Sequence, residues 1–479
     1  MVVNYRDLDP QAWAELNFGD LDLGHAKRNQ RAITTAAAFA AKPGKSIPQL
    51  FGRWSEVKAT YTFFANPEVT PDDLQARHRE LTMERLNQPG TFLLPEDTTE
   101  PSWSGKKARP GLGRVGDQNS TKQGYQLHTS LVVRWPDSFA PDEKGRRPPV
   151  EVIGIADQQS LVREEHPAGE TRKARLSRAR ESEVWEAATR RIGSAPDNPH
   201  IRWVRVCDRG SDIYEFLLSC DDEGHGYVVR AAQDRALIDE PGAPAGHLFA
   251  TAREGPSLGE FNLELRARPG QAQRTARLSL STTRVRLRSP YRPGHGVGKL
   301  RPIECTVVRV WEANPPAGVE PLEWILLCDA EVTTFEQALE VALQYATRWL
   351  VEEFHKAIKT GMGIEKLQLE TGEELMAAVA LMSVVALRLL HLREIVRIVP
   401  DAPPEASGLS QLELAVLAEK TKRSLLTVRD VALALGRLGG HLNRKSDGLP
   451  GWITLWRGYL ELQVLVEGVR LAHKLKKTR

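Results

Sequence analysis

Cysteine is scarce and scattered, with only Cys207, Cys220, Cys305 and Cys328 in 479 residues. Their separations match no metal-ligand spacing and suggest no disulfide framework, so reduced thiols in a cytoplasm are expected. Long apolar runs are missing too. The N-terminus, MVVNYRDLDPQAW, holds no apolar core of signal-peptide length, and no window approaches 18 uninterrupted apolar residues, the length at which a spanning helix becomes a candidate. The chain is expected neither to be exported by that route nor to span a membrane. Hydrophobic residues make up 41% and charged residues 27%, with 37 Gly and 30 Pro spread along the chain. That balance excludes wholesale disorder, collagen-like repeats and a coiled coil. At roughly 150 residues per domain, the length allows about three domains, or one large domain with attachments.

Net charge is also nearly absent, since 65 basic and 62 acidic side chains leave only +3. The distribution is more informative. No Asp or Glu occurs between Leu23 and Ser55, a stretch that carries Lys27, Arg28, Arg31, Lys42, Lys45 and Arg53. From Lys420 to Arg479, 13 basic residues face four acidic ones, a local net of +9. Basic ends on a neutral chain suit a polyanion-binding protein, and solvated helix faces look similar.

The first ninety residues read as a small basic helical module: an Ala-rich helix from Ala26 to Ala41 stopped at Gly44, then helices over Ser55 to Phe64 and Pro71 to Leu86. From Thr91 the pattern turns to strands. TFLLPEDTT, YQLHTSLVVRW and VEVIGIADQQSLV read as an antiparallel meander. A polar helix from Thr171 to Ile192, the strand IRWVRVCDRG, a short helix from Ser211 to Ser219 and the strand GYVVRAA follow. This order predicts a mixed α/β sheet. Residues 234 to 330 read as a β insertion with strands FNLELRAR, TARLSLS, RVRLRS, ECTVVRVWE and EWILLCD. A helix from Thr334 to Thr360 follows, about 40 Å long at 1.5 Å per residue, and the remainder is helical.

Metal-dependent phosphodiester cleavage needs carboxylates gathered from distant parts of a chain to hold two divalent cations. Asp97 ends the first strand and Asp208 the fourth, positions that also suit ordinary turn or cap residues. On the long helix Tyr345, Arg348, Glu352 and Lys359 fall within an arc of about 60°. One face there carries a ring, a carboxylate and two cations, or else a solvated face with supporting ion pairs. Gly111, Gly113 and Gly116 spell GxGxxG without the flanking strand and helix of a dinucleotide site; a flexible loop is expected there. His25, His128 and His355 show no ligand spacing and read as surface or packing residues. Pro95, within the first strand, must sit where no ladder donor is needed.

EDTT at Glu96 to Thr99, VCDRGSDI at Val206 to Ile213, and YATRWLVEEFHKAIKTG at Tyr345 to Gly361 together resemble three separated blocks of the bacterial cut-and-paste DDE DNA transposases of the insertion-sequence-four group. That group includes the transposase of transposon five. Weaker similarity covers most of the chain, including LGHAKRNQR and GRLGGHLNRKSDG. The resemblance implies a ribonuclease-H-like mixed-sheet α/β core with a β insertion and helical ends. It implies a DNA-binding domain over 1–90, a catalytic domain over 91–372 and a dimerisation domain over 373–479. It also implies that Asp97, Asp208 and Glu352 are catalytic and bind two Mg²⁺, with Mn²⁺ as a substitute. Tyr345, Arg348 and Lys359 correspond to family residues that hold the DNA strand near the cut. Trp324 falls where the family stacks a tryptophan on a flipped base, with a core tryptophan of an apolar strand as the alternative. Arg230 lines up with a family arginine near the site.

The expected activity is cutting of transposon ends and joining of their 3′ hydroxyls to target DNA. Lys27, Arg28, Arg31 and Lys45 would contact end DNA, and the C-terminal helices would pair two protomers in a synaptic complex. The expected partners are double-stranded DNA and a second copy of the chain, with no membrane, in a bacterial cytoplasm at the nucleoid. A nuclease of the same fold without strand transfer, and a non-catalytic DNA-binding derivative, are the competing readings.

Overall fold

The computed structural model describes residues 9–104, 108–116, 120–138, 148–163, 183–265, 274–290, 300–444 and 447–477. Its N-terminal helices are α1 (Pro10–Phe18), α2 (Ala26–Ala41), α3 (Ile47–Leu50), α4 (Trp54–Phe64) and α5 (Pro71–Leu86). Local chemistry sets their ends. Asp9 accepts from the backbone N–H groups of Gln11 and Ala12 with Pro10 at the first helical position, Thr70 accepts from Asp73 N–H at α5, and Gly44 takes φ +72° after α2. The short α3, whose Ser46 and Gln49 form a capping box, was not expected from the sequence.

A single mixed sheet organises the rest. Strand β1 (Gly90–Thr99) lies centrally, antiparallel to β5 (Gln126–Arg134), which pairs with β6 (Glu151–Leu161). On its other side β1 runs parallel to β7 (Ile201–Cys207), and β7 parallel to β8 (Gly226–Arg230). Helices α6 (Val184–Ile192) and α7 (Tyr214–Asp222) connect them. The spatial order β6-β5-β1-β7-β8, with its antiparallel meander and parallel continuation, is that of a ribonuclease-H-like core. The ladder between β1 and β5 pairs Leu93 with Val133 and resumes at Glu96 with Ser130. Pro95, which has no N–H to give, sits in that gap while its other edge stays in register with Val206.

The sequence reading needs correction in several places. Residues 102 to 124 build a small sheet of β2 (Ser102–Trp103), β3 (Gly113–Arg114) and β4 (Gln123–Gly124), so Gly113 of the GxGxxG run lies in a strand. The expected polar helix is described only from Val184; its residues 171–182 lie outside the described residues. The insertion adds β9 (Ala236–Ile238), β10 (Pro244–His247), helix α8 (Leu248–Glu254) and β11 (Gly259–Leu265). TARLSLS and RVRLRS form one 14-residue strand, β12 (Arg274–Leu287), since Thr282 and Thr283 between them are extended and β-branched. With β13 (Ile303–Trp311) and β14 (Glu323–Cys328), the insertion extends the core sheet: β14 pairs with β8.

The long helix changes its hydrogen-bonding pattern at Arg348, whose φ −49° and ψ −33° remain helical. It comprises α9 (Phe335–Thr347), begun by a Thr334–Gln337 capping box, and α10 (Trp349–Lys356), joined at Arg348. A π-helical turn over Ala357–Met362 follows and ends at Gly363, φ +69°. The tail holds α11 (Gly372–Ile398), α12 (Gln411–Thr421), α13 (Val428–Leu438) and α14 (Trp452–Lys477). Helix α11 is long and apolar enough to cross a membrane, yet 81% of its most apolar stretch is buried inside the structure. It serves as a core helix: one hydrophobic cluster runs from Trp13 and Phe39 through Leu131, Leu326 and Phe354 to Leu381, Leu435 and Leu462.

Candidate active site

Asp97, two residues before the end of β1, and Asp208, directly after β7, stand on adjacent parallel strands. β1 and β7 share a register in which Pro95 faces Val206, so Asp97 and Asp208 leave the sheet side by side. Helix α10 packs on β1 and carries Glu352. Arg348 joins the two elements: its guanidinium lies 3.5 Å from Asp97 Oδ2 and donates to Glu352 Oε1. Asp97 also accepts from Thr98 N–H at 2.8 Å.

Electrostatics bind these groups into one site. Burial pushes the Asp97 carboxyl up to about 6; Arg348 opposes the rise, and the neighbouring Asp208 and Glu352 carboxylates add to it. Burial works against the Arg348 charge, yet Tyr345, Glu352 and Asp97 hold its pKa above the ordinary value. Asp208 caps the turn over Arg209–Ser211 by accepting from Gly210 N–H at 2.8 Å. The nearby Asp212 is buried against Arg235 at 2.6 Å and accepts from the N–H groups of Ala232 and Gln233. A fully satisfied carboxylate of that kind is structural, which separates the two aspartates of the VCDRGSD block.

Further sequence-chosen residues gather beside the acids. Tyr345 is buried, its pKa raised by that burial, and it meets the half-buried Trp324 edge to face at 5.0 Å. Arg230, at the end of β8, donates to the Glu323 carbonyl at 2.9 Å and to Tyr345. Lys359 donates to the Glu100 carbonyl at 2.8 Å, and burial lowers its pKa. The basic module lies elsewhere. Lys27 and Lys45 are exposed, whereas Arg28 bonds Asn66 at 3.2 Å and Arg31 pairs with Glu56 at 2.5 Å. Of the histidines, His25 caps α2 through Lys27 N–H. His355 is buried and held neutral down to about 3 by desolvation, then by Lys359, His128 and Arg348.

Residues 10–69 match the family described as transposase DNA-binding, and residues 384–479 match that described as the transposase Tn5 dimerisation domain. These two matches support a Tn5-like transposase. Both matched regions lie at the basic ends, leaving the acid cluster between them. The matched regions support DNA and a second copy of the chain as its partners.

Sequence reasoning missed what lies beneath the acids. Glu96, Arg205 and His128 are fully buried on the opposite face of the same strands. A carboxylate and a guanidinium inside otherwise apolar central strands were the available signal.

Proposed function

We propose that this transposase cuts transposon-end DNA and joins the freed 3′ hydroxyls to target DNA by two-metal phosphodiester chemistry. Asp97, Asp208 and Glu352 would hold the cations. The supporting observation is geometric: Asp97 and Asp208 stand in register on adjacent strands, and Arg348 bridges the half-buried Asp97 to Glu352. Hard carboxylate oxygens suit Mg²⁺ or Mn²⁺, so the donor chemistry fits. Among the described residues no three acid, histidine or cysteine side chains converge at ligand distance as they stand; Arg348 bonds both Asp97 and Glu352. Loading therefore requires Arg348 to give up at least one carboxylate.

Bound cations would supply an activated water or 3′ hydroxyl and stabilise the leaving oxygen. The released Arg348 guanidinium is then free to pair with a backbone phosphate. Lys359, one turn beyond α10, carries a second cation along the same side. The Trp324 and Tyr345 rings, steadied by Arg230, offer an aromatic surface for an unstacked base. Exposed Lys27 and Lys45 would reach end DNA, with Arg28 and Arg31 holding the module's shape.

Pairing of protomers would use α14, whose Ile453, Val464, Leu471 and Leu475 are exposed and fall within an arc of about 40°. Leu471→Glu should shift the protein toward monomer by sedimentation and abolish paired-end complexes. Asp97→Ala, Asp208→Ala and Glu352→Ala should each reduce cleavage of end-bearing DNA by about 10³-fold or more while end binding persists. Retained cleavage in any one overturns the triad, and cleavage without joining to a second DNA identifies a simple nuclease instead.

A further inference from the structure

On the face of the sheet turned away from the acids, the side chains one residue from Asp97 and three from Asp208 form a buried polar network. Glu96 and Arg205 are each 0% exposed and form an ion pair across β1 and β7. His128 on β5 bonds Glu96 at 3.3 Å through Nε2 and Thr98 Oγ1 at 2.9 Å through Nδ1. Arg205 donates to Thr189 Oγ1 at 2.8 Å on α6 and stacks over the Phe216 ring of α7. Its contact at 3.4 Å with His225 continues to the Gly193 carbonyl. Three adjacent strands and two helices are thus tied together directly behind the strand ends that carry the acids.

Burying charge here needs an explanation. An apolar pair of similar volume would fill the layer without the desolvation penalty, and such replacements are often neutral or stabilising. What apolar packing cannot supply is direction. A guanidinium and a carboxylate bonded across two strands fix their relative register, and successive residues of a strand point to opposite faces. A shift of Glu96 against Arg205 is therefore a shift of Asp97 against Asp208.

We propose that Glu96, Arg205 and His128 are positioning residues that set the separation of the Asp97 and Asp208 carboxylates for divalent cations. They touch neither DNA nor the cations, and they act through β1 and β7. This inference rests on the assignment of the acids as cation ligands.

The test uses the full-length protein with Mn²⁺ as the probe, read by calorimetry and by the Mn²⁺ dependence of end cleavage. Arg205→Met and Glu96→Gln should keep the circular dichroism spectrum and the affinity for end DNA without metal. They should weaken Mn²⁺ binding by about 10- to 100-fold, the usual consequence of losing an outer-shell partner. The metal concentration for half-maximal cleavage should rise in step, with much of the rate recovered at saturating Mn²⁺. A folded variant with wild-type Mn²⁺ affinity overturns the inference, as does a rate loss that saturating metal leaves untouched. If Arg205→Met does not fold, the decision passes to Glu96→Gln and His128→Gln, which keep the Arg205 charge in place. Asp97→Ala in parallel separates the two levels: if it leaves Mn²⁺ binding and cleavage intact, the ligand assignment itself has failed. If it abolishes both while folded network variants match the wild type, only the positioning role has failed.

Discussion

Glu96 and Asp97 are neighbours on one strand and differ in almost every electrostatic respect. Burial alone would raise Glu96, but Arg205 and His128 hold its carboxyl below the usual range. Asp97 faces the other side, shares Arg348 with Glu352 and is pushed up to about 6. A strand of alternating side chains lets one backbone carry a fully satisfied charge on one face and an under-satisfied one on the other. The difference separates structural charge from charge held ready for a ligand. It also explains why an expensive buried pair sits where a simple core would have been more stable.

Substitution at the two positions should break the comparison most sharply. Glu96→Ala strands the Arg205 guanidinium in the interior and should cost about 3–5 kcal/mol, read as a lower urea midpoint. Asp97→Asn should do the reverse without metal. A raised carboxyl loses stability as pH rises through about 6, so removing its charge should stabilise the metal-free protein at pH 8 by about 1–2 kcal/mol. A destabilised Asp97→Asn protein would show that its carboxylate is structural after all.

Divalent cation should sharpen the contrast next. At 100 times its dissociation constant Mg²⁺ should stabilise the protein by about 2.7 kcal/mol at pH 8. The gain should fade below pH 6, where Asp97 holds its proton. A melting temperature indifferent to Mg²⁺ across that range would remove the ligand role of the acids.

The Glu96–Arg205 face has its own acid limit. Burial, then the Arg205 charge, lowers His225 to about 4. A histidine kept neutral in the fold contributes stability above its unfolded pKa near 6.5, and this is lost as pH falls toward 4. The expected loss is about 1–2 kcal/mol, and His225→Gln should flatten the acid limb of the stability curve. The smallest effect belongs to Thr98, whose hydroxyl bonds His128 while its N–H donates to Asp97. Thr98→Val should cost about 1 kcal/mol by urea unfolding and leave cleavage within a few fold.

Much of this arrangement could be read from the chain. The strand–strand–strand–helix–strand order is visible because period-two apolar runs alternate with turn residues. Asp97 and Asp208 stand out because each lies where such a run ends. Other features could not be read because they arise only between elements. That β12 joins TARLSLS to RVRLRS depends on pairing with β13 from Ser279 to Leu287. The Arg348 guanidinium lies between Asp97 and Glu352, a contact with Asp97 across 251 residues. Arg205 is polar by composition and core by position, and pattern alone assigns it to neither.

Because β14 joins the catalytic sheet directly, Trp324 belongs to the same rigid body as Asp97. Only β8 and β7 intervene between their strands, so strand spacing places them about 14 Å apart across the sheet. The sheet thus works as a gauge whose graduations are hydrogen-bonded strands. Under the proposed chemistry, the distance from the cut to the displaced base is fixed by backbone geometry rather than by a loop. End sequences that change base identity at the stacked position should then be tolerated better than ends that lengthen or shorten the interval by one nucleotide.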